Sequence, residues 1–199
     1  MKRRQWLVVL GGTATAATAL MAWAVHSYAT APPESGTRPA ARATAPSADS
    51  LLQAGIAQQR YGDLEGAART YRRVLQLDPR NKFAWYNLGV IAHDDGRTAE
   101  ARNAYEKSLK IDPSFQAALF NEALLLKSGD PDRAMGLLER VIGVSPQDAA
   151  AHLHLGEIWA GKHRGRDALD EFRRAVAADP SIRSQVPEAF RNSLGSSPE

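Results

Sequence analysis

Four prolines recur at an almost constant interval along the chain. The intervals are 34, 33 and 34 residues, between Pro79, Pro113, Pro146 and Pro180. Twelve residues before each proline lies an alanine, which is Ala67, Ala101, Ala134 or Ala168. Four residues after each alanine lies a large apolar residue, which is Tyr71, Tyr105, Leu138 or Phe172. A period of this length predicts a small unit that stacks on copies of itself, because one such unit cannot bury its apolar face alone.

A second regularity lies upstream of each alanine. Pairs of residues four apart recur there, and the second member is always glycine or alanine: Leu51 and Gly55, Trp85 and Gly89, Leu119 and Ala123, His152 and Gly156. Glycine inside a helix costs about 1 kcal/mol relative to alanine, so Gly89 indicates a close contact between helices. The large residue that follows each alanine is expected to fill the space beside it.

Each repeating unit divides into two helical stretches. The divisions fall at Gly62-Asp63, Gly96-Arg97, Gly129-Asp130-Pro131 and His163-Arg164-Gly165. A glycine at these points can adopt the left-handed conformation that ends a helix, and the recurring proline ends the second stretch. No alternation typical of strands appears. The sequence therefore predicts an all-α fold with four helix-turn-helix units, at 48–81, 82–115, 116–148 and 149–181.

The second unit carries a pattern that identifies a family. It reads Trp85-x2-Leu88-Gly89, then Ala101-x3-Tyr105, then Pro113, and it closely resembles the tetratricopeptide repeat. The resemblance implies a right-handed α-solenoid whose concave face is lined by the first helix of each unit. The third unit departs most, since Glu122 replaces an apolar residue and one residue is missing near Gly129.

The segment 182–199 after the last repeat is expected to cap the array. Val186, Phe190 and Leu194 lie four residues apart, and Pro187 and Glu188 suit the start of a helix. Repeat arrays need a terminal element with a polar outer side. We therefore expect a short capping helix over 187–194.

The first 29 residues are expected to target the chain to a membrane. Residues 6–25 contain no charged residue, and a helix of that length, about 30 Å, can cross a bilayer core. Basic residues at positions 2–4 would keep the N-terminus in the cytoplasm, so we expect a single-pass inner-membrane anchor. The alternatives are a signal peptide that is cleaved near Ala29 and a twin-arginine export signal. All three place the repeats outside the cytoplasm, in a bacterial cell envelope.

The segment 30–47 is rich in alanine, proline and threonine. It has no apolar period, so it cannot repay the entropy lost on ordering. We expect a disordered tether between the anchor and the repeats.

The distribution of charge argues against nucleic-acid binding. Residues 1–47 carry five basic residues and one acidic residue, which leaves 20 basic and 21 acidic residues in 48–199. A domain that binds phosphates needs a concentrated positive field, and the repeats have none.

The sequence also offers no recognisable catalytic or ligand site. It contains no cysteine, which excludes thiolate metal sites, and it lacks the common hydrolase, phosphate-binding and dinucleotide-binding motifs. His93 with its two following aspartates suits a solvated helix end, and His152 occupies the position of Trp85, so it is expected to be a packed core residue. We expect no enzyme activity, no cofactor, no metal and no small-molecule substrate.

Once nucleic-acid binding and catalysis are set aside, the remaining interpretation is that the repeats bind other proteins. In the second unit, Phe83, Tyr86 and Val90 form an apolar stripe away from the packing stripe of Trp85, Leu88 and Gly89. The corresponding stripes elsewhere contain Ala117, Phe120 and Leu124 in the third unit and Leu52 and Ile56 in the first. If exposed, this stripe would bind an apolar or amphipathic segment; alternatively, neighbouring repeats bury it.

These observations predict a membrane-tethered scaffold that binds partner proteins during the assembly of envelope complexes. Two alternatives stay open: a cleaved, soluble periplasmic chaperone for an exported client, and a regulatory subunit of an envelope enzyme such as cytochrome c maturation machinery.

Overall fold

The computed structural model describes residues 45–194. The expected membrane segment 6–25 and almost all of the expected tether 30–47 lie outside the described residues. Within 45–194, no helix is long and apolar enough to cross a membrane.

Within residues 45–194, the first eight helices form four consecutive pairs, each with two helices joined by a short turn. The helices are α1 (Ala48–Arg60), α2 (Leu64–Leu77), α3 (Lys82–Asp94), α4 (Thr98–Ile111), α5 (Gln116–Leu126), α6 (Pro131–Val144), α7 (Ala149–Gly161) and α8 (Gly165–Ala178). Residues 45–194 contain no strand. The prediction of an all-helical solenoid built from helix-turn-helix units is confirmed.

Short polar side chains begin five of these helices. In each, an oxygen of the residue before the helix accepts a hydrogen bond from the backbone N–H three residues later, and these caps are Ser47, Asp63, Asn81, Asp130 and Asp148. Such caps satisfy N–H groups that have no partner within the helix. Local sequence therefore helps to set the start of these five helices.

The turn inside each unit differs from the prediction in the third and fourth units. Gly62 and Gly96 adopt the left-handed conformation, with φ of 81° and 72°. In the fourth unit His163 takes this role with φ of 59°, whereas Gly165 is the first residue of α8. Gly129 does not have positive φ, because the third unit is one residue shorter and its turn takes a different path.

The two helices of a unit approach most closely at the small residue of the first helix. A Cβ atom added to Gly55, Gly89 or Gly156 would lie 2.6 Å from a ring carbon of Tyr71, Tyr105 or Phe172, respectively. Each of these three rings is completely buried. Because a Cβ cannot approach a ring this closely, the fold requires glycine where these aromatic rings are present.

His152 performs the same packing task as Trp85. The indole Nε1–H of Trp85 donates to the carbonyl of Pro79 over 3.1 Å, and His152 Nε2 lies 3.1 Å from the carbonyl of Pro146. His152 is buried, and its Nδ1 lies 2.6 Å from Glu171. Either ring therefore anchors the first helix of a repeat to the proline that ends the preceding repeat.

The C-terminal segment packs on α8 but is not one helix. A 3-10 helix covers Pro180–Gln185, α9 covers only Glu188–Arg191, and a second 3-10 helix covers Asn192–Leu194. Ile182 and Val186 are buried in a cluster with Phe172. The expected helix over 187–194 is thus shorter, since its last turn tightens while Phe190 and Leu194 pack against this cluster.

Candidate functional site

The first helices of the second, third and fourth units share a row of aromatic side chains, which we call the first-helix face. It contains Phe83, Tyr86, Phe115, Phe120 and His154. Phe115 lies edge-on to Phe83 and to Tyr86, with centroid distances of 5.5 and 5.3 Å. The rings of Phe120 and His154 are 5.7 Å apart. The first group of rings therefore joins α3 to the start of α5, and the second joins α5 to α7.

Lys82 closes one end of this row. Its Nζ lies 5.1 Å from the ring centroids of both Phe83 and Phe115 and 2.6 Å from a carboxylate oxygen of Asp112. The hydrogen bonds from Lys82 and Ser114 lower the pKa of Asp112. Asp112 therefore already neutralises the charge of Lys82, whose amino group lies near the rings of Phe83 and Phe115.

The amides on the first-helix face are also engaged. Asn121 Nδ2 donates to the hydroxyl of Tyr86 over 2.9 Å, which ties α5 to α3. Asn87 Nδ2 donates to the carbonyl of Phe83 over 2.8 Å. Burial raises the pKa of Tyr86, and the bond from Asn121 acts against this increase.

At the other end of the row, one carboxylate holds two basic side chains. Glu157 Oε2 lies 2.8 Å from Lys127 Nζ and 2.8 Å from His154 Nδ1. The bond from His154 and then that from Lys127 lower the pKa of Glu157 to about 2, against the opposing effect of burial. Lys127 belongs to the C-terminal end of α5, so this cluster joins α5 to α7.

The members of the predicted apolar stripe differ in exposure, and Ile56 packs against the same core cluster as Leu52. Phe83 is 44% exposed, and the half-buried members are Ile56, Tyr86, Val90, Ala117, Phe120 and Leu124. Leu52 is only 8% exposed and packs in the core of the first unit with Leu51 and Tyr71. Leu52 is therefore unavailable to a partner, because the face of α1 that carries it turns into that core.

The residues predicted to pack the repeats lie in two environments. Those that are buried are Gly55, Ala67, Tyr71, Gly89, Ala101, Tyr105, Ala123, Ala134, Leu138, Gly156, Ala168 and Phe172. Trp85 and Leu88 are half-buried, and the prolines Pro79, Pro113, Pro146 and Pro180 are exposed at the turns between units.

Sequence reasoning missed several polar and aromatic members of the first-helix face. Phe115 lies in the turn after Pro113, outside the helical stripe from which the face was predicted. Lys127, His154 and Glu157 are charged or polar, so an apolar pattern could not find them. Their spacing, with His154 and Glu157 three apart on one helix, was the available signal.

Within 45–194, no group of three or more His, Cys, Asp or Glu side chains could hold a metal ion. The ring of His93 packs edge-on to Tyr105, with 6.5 Å between centroids. The arrangement of the first-helix face suits contact with another apolar surface.

Comparison with known proteins adds a family match. The pattern of a family described as tetratricopeptide repeat matches residues 52–114 and 124–181. The chain is 30% identical over 110 residues to Protein O-mannosyl-transferase Tmtc3 of Drosophila melanogaster, which is 55% of this chain and 12% of that protein. It is 31% identical over 145 residues to Cellulose synthase 2 operon protein C of Komagataeibacter xylinus, which is 69% of this chain and 11% of that protein.

A solved structure has the same fold. MamA from Desulfovibrio magneticus RS-1 superposes with a TM-score of 0.65 at 21% sequence identity, over 74% of this chain and 88% of that one. At this identity the likeness concerns the fold alone. The two curated proteins are several times longer than this chain, so the activities in their names describe proteins of which it matches a small part.

Proposed function

Since this chain belongs to the tetratricopeptide repeat family, we propose that it is a non-enzymatic scaffold whose first-helix face binds partner proteins. The proposal rests on the two groups of aromatic rings on this face, Phe83, Tyr86 and Phe115 in one and Phe120 and His154 in the other, with Phe83 44% exposed. Apolar surface that is arranged in a row and not covered by the chain's own helices marks a site for another protein.

The pairing of the polar groups indicates which kind of segment binds. Lys82 is held by Asp112, and Lys127 is held by Glu157, so both lysines on this face already have anionic partners. A partner that presents a free carboxylate would have to displace an internal ion pair. The partner is therefore a segment with an apolar side, either extended or an amphipathic helix.

The location follows from the N-terminal sequence. Residues 6–25 anchor the chain in the inner membrane, and residues 30–47 hold the repeats outside the cytoplasm of a bacterial cell. The scaffold then acts in the assembly of envelope complexes. The alternatives are a soluble periplasmic chaperone released by cleavage near Ala29 and a regulatory subunit of an envelope enzyme such as cytochrome c maturation machinery.

The names of the two curated relatives also favour a binding role for the shared repeats. One is named as a mannosyl-transferase and the other as a product of a cellulose synthase operon. The stretch that resembles this chain is a small fraction of either protein. The two names have no reaction in common, so the feature that the matching stretches share with this chain is the repeat and not one activity.

Partner capture tests the binding proposal. The full-length chain is crosslinked in intact membranes, and the captured proteins are compared between wild type, Tyr86→Ala and Phe120→Ala. Truncation of interface aromatics is expected to weaken binding by about 2 kcal/mol or more, with most of the thermal stability retained. Arg73→Ala, an exposed change on α2, is the control. If Tyr86→Ala lowers the melting temperature as much as Trp85→Ala does and leaves partner capture by the folded protein unchanged, the face only packs repeats.

Intact-mass measurement tests the anchor. Protein extracted from membranes is expected to retain residues 1–29. A mature chain that begins near Thr30 would replace the anchor with the cleaved, soluble alternative, and it would leave the binding proposal untouched.

A further inference from the structure

A groove lies between α2 and α4, on the side of the repeats formed by the second helices, and α3 forms its floor. Two adjoining cavities of about 400 and 360 Å³ make up this α2–α4 groove, and both are lined by Ala68, Arg72, Ile91 and Arg97. Trp85 and Leu88 add half-buried apolar surface to the floor. The first-helix face contributes none of these residues, so the groove is a separate surface.

The α2–α4 groove differs from the next groove in the polar contacts that cross it. The equivalent groove between α4 and α6 is crossed by Arg133, which lies 2.7 Å from Glu106 on α4 and 2.6 Å from Glu122 on α5. Within residues 45–194, no hydrogen bond or ion pair joins α2 to α4 in this way. Arg97 binds Asp95 and Glu100, which belong to its own turn and helix.

Arg72 gives the α2–α4 groove its charge. It follows Tyr71, and the residues that follow Tyr105 and Leu138 are Glu106 and Glu139, which line the two equivalent grooves. The sign of the charge at this repeat position is therefore opposite in the first groove. Arg72 forms no ion pair with any described residue, whereas the acidic side chains of the groove are engaged by Arg97 and Arg69.

A second cation lies beside the groove floor. Lys107 Nζ sits 4.1 Å from the ring centroid of Trp85 and forms no ion pair within residues 45–194. The groove and its edge therefore carry four basic and three acidic residues. The basic residues are Lys107, Arg69, Arg72 and Arg97, and the acidic residues are Glu65, Asp95 and Glu100. Of the four basic residues, Arg72 and Lys107 form no ion pair with a described residue, so their positive charges are available to an acidic group of a ligand.

We propose that the α2–α4 groove binds an amphipathic helix of a partner protein, with apolar side chains on Trp85 and Leu88 and acidic side chains toward Arg72 and Lys107. The two flanking helices are 14 residues each, about 21 Å long, so a helix of similar length fits along them. Apolar residues at helical spacing would meet the floor, and the acidic residues select this groove over the one with Glu139, Asp167 and Asp170.

Synthetic peptides test this inference on the full-length chain. The probe is a 14-residue helical peptide with leucines on one face and glutamates beside them, and its counterpart carries lysines in place of the glutamates. Fluorescence anisotropy is expected to show binding of the glutamate peptide that weakens with added salt, and at least tenfold weaker binding of the lysine peptide.

Two adjacent arginines provide a matched pair of variants. Arg72→Glu is expected to weaken the glutamate peptide roughly five- to tenfold, because it removes an attraction and adds a repulsion. Arg73→Glu, which is also exposed but lies outside the groove lining, is expected to change affinity less than twofold. Circular dichroism confirms that both variants are folded. A photo-crosslinker at Asn103, on the groove edge, is expected to capture the peptide, and one at Asn87 on α3 is not.

Three results would overturn the proposal. In the first, the glutamate peptide does not bind at millimolar concentration. In the second, Arg72→Glu and Arg73→Glu change its affinity equally. In the third, Tyr86→Ala abolishes peptide binding. The last result would assign the peptide to the first-helix face, so the groove proposal can fail while the scaffold function stands.

Discussion

At the scale of single residues, one hydroxyl distinguishes two otherwise equivalent tyrosines. Tyr71 and Tyr105 are both completely buried against a glycine. The Tyr71 hydroxyl donates to Gln59 Oε1 over 2.9 Å, whereas the Tyr105 hydroxyl has no hydrogen-bond partner among residues 45–194. His93 occupies the position of Gln59 in the second repeat, and its ring packs edge-on to Tyr105 instead.

This difference predicts opposite effects of the same substitution. Tyr71→Phe is expected to lower the free energy of unfolding by about 1 kcal/mol, because it removes a hydrogen bond and leaves the Gln59 amide without its partner. Tyr105→Phe is expected to be neutral or to stabilise by up to about 1 kcal/mol, because it removes a buried hydroxyl that is not paired. Urea unfolding of the two variants checks this, and equal losses would contradict the assigned hydrogen bonding.

At the scale of helices, the main departure from the repeat pattern is a buried ion pair. Glu122 on α5 is only 1% exposed and lies 2.6 Å from Arg133 on α6, which also reaches Glu106 on α4. Burial raises the pKa of Glu122, and Arg133 acts against this increase. The substitution thus connects three helices at a position that the sequence pattern marks as apolar.

The pair predicts an asymmetry between its two members. Glu122→Leu restores the usual apolar residue and is expected to be neutral or stabilising by roughly 1–4 kcal/mol. Arg133→Met leaves a buried carboxylate without its cation and is expected to cost roughly 3–5 kcal/mol at neutral pH. A raised pKa makes stability fall as pH rises above the ordinary carboxyl value, so Arg133→Met should recover stability on acidification. Denaturant unfolding at pH 7 and pH 4 measures both effects, and a loss in Glu122→Leu as large as that in Arg133→Met would contradict them.

A second carboxylate has the opposite pH dependence. The pKa of Glu157 is lowered from 4.5 to about 2 by His154 and Lys127, so its stabilising effect is present above pH 4.5 and is lost as pH falls through about 2. Glu157→Gln is expected to flatten the fall in melting temperature between these two values. Glu139→Gln, an exposed change on α6, is the control. Equal pH profiles for wild type and Glu157→Gln would show that the cluster contributes nothing to the contact between α5 and α7.

The elements themselves could be predicted because their signals are local. Capping residues, turn glycines and the recurring prolines lie within a few residues of the helix ends that they define, so the eight helices were predictable. The contacts of the first-helix face could not be predicted, because they join residues far apart in the sequence. Tyr86 and Asn121 are 35 positions apart, and Lys127 and Glu157 are 30 positions apart. Which side chains meet across repeats depends on how α3, α5 and α7 stack, and a repeat pattern gives only their common register.

At the scale of the described repeats, each helix pair contacts the pairs before and after it, so stability is a sum of local and nearest-neighbour terms. The last pair depends on the C-terminal segment, which contributes Ile182 and Val186 to the cluster around Phe172. Phe190 also packs on Phe172, with 5.1 Å between ring centroids. The segment therefore replaces the neighbour that a fifth repeat would supply.

Loss of this segment should consequently loosen the array from one end. Deletion of residues 180–199 exposes Phe172 and Leu153, and Ile182→Ala alone is expected to cost roughly 2–5 kcal/mol at the last pair. Hydrogen exchange is expected to show faster exchange in α7 and α8 for both variants, while amide protection in α1 to α4 stays near the wild-type level. Ser184→Ala, an exposed change in the same segment, is the control. A uniform loss of protection from α1 to α8 would contradict nearest-neighbour stability, because it would mean that the four pairs unfold as one cooperative unit.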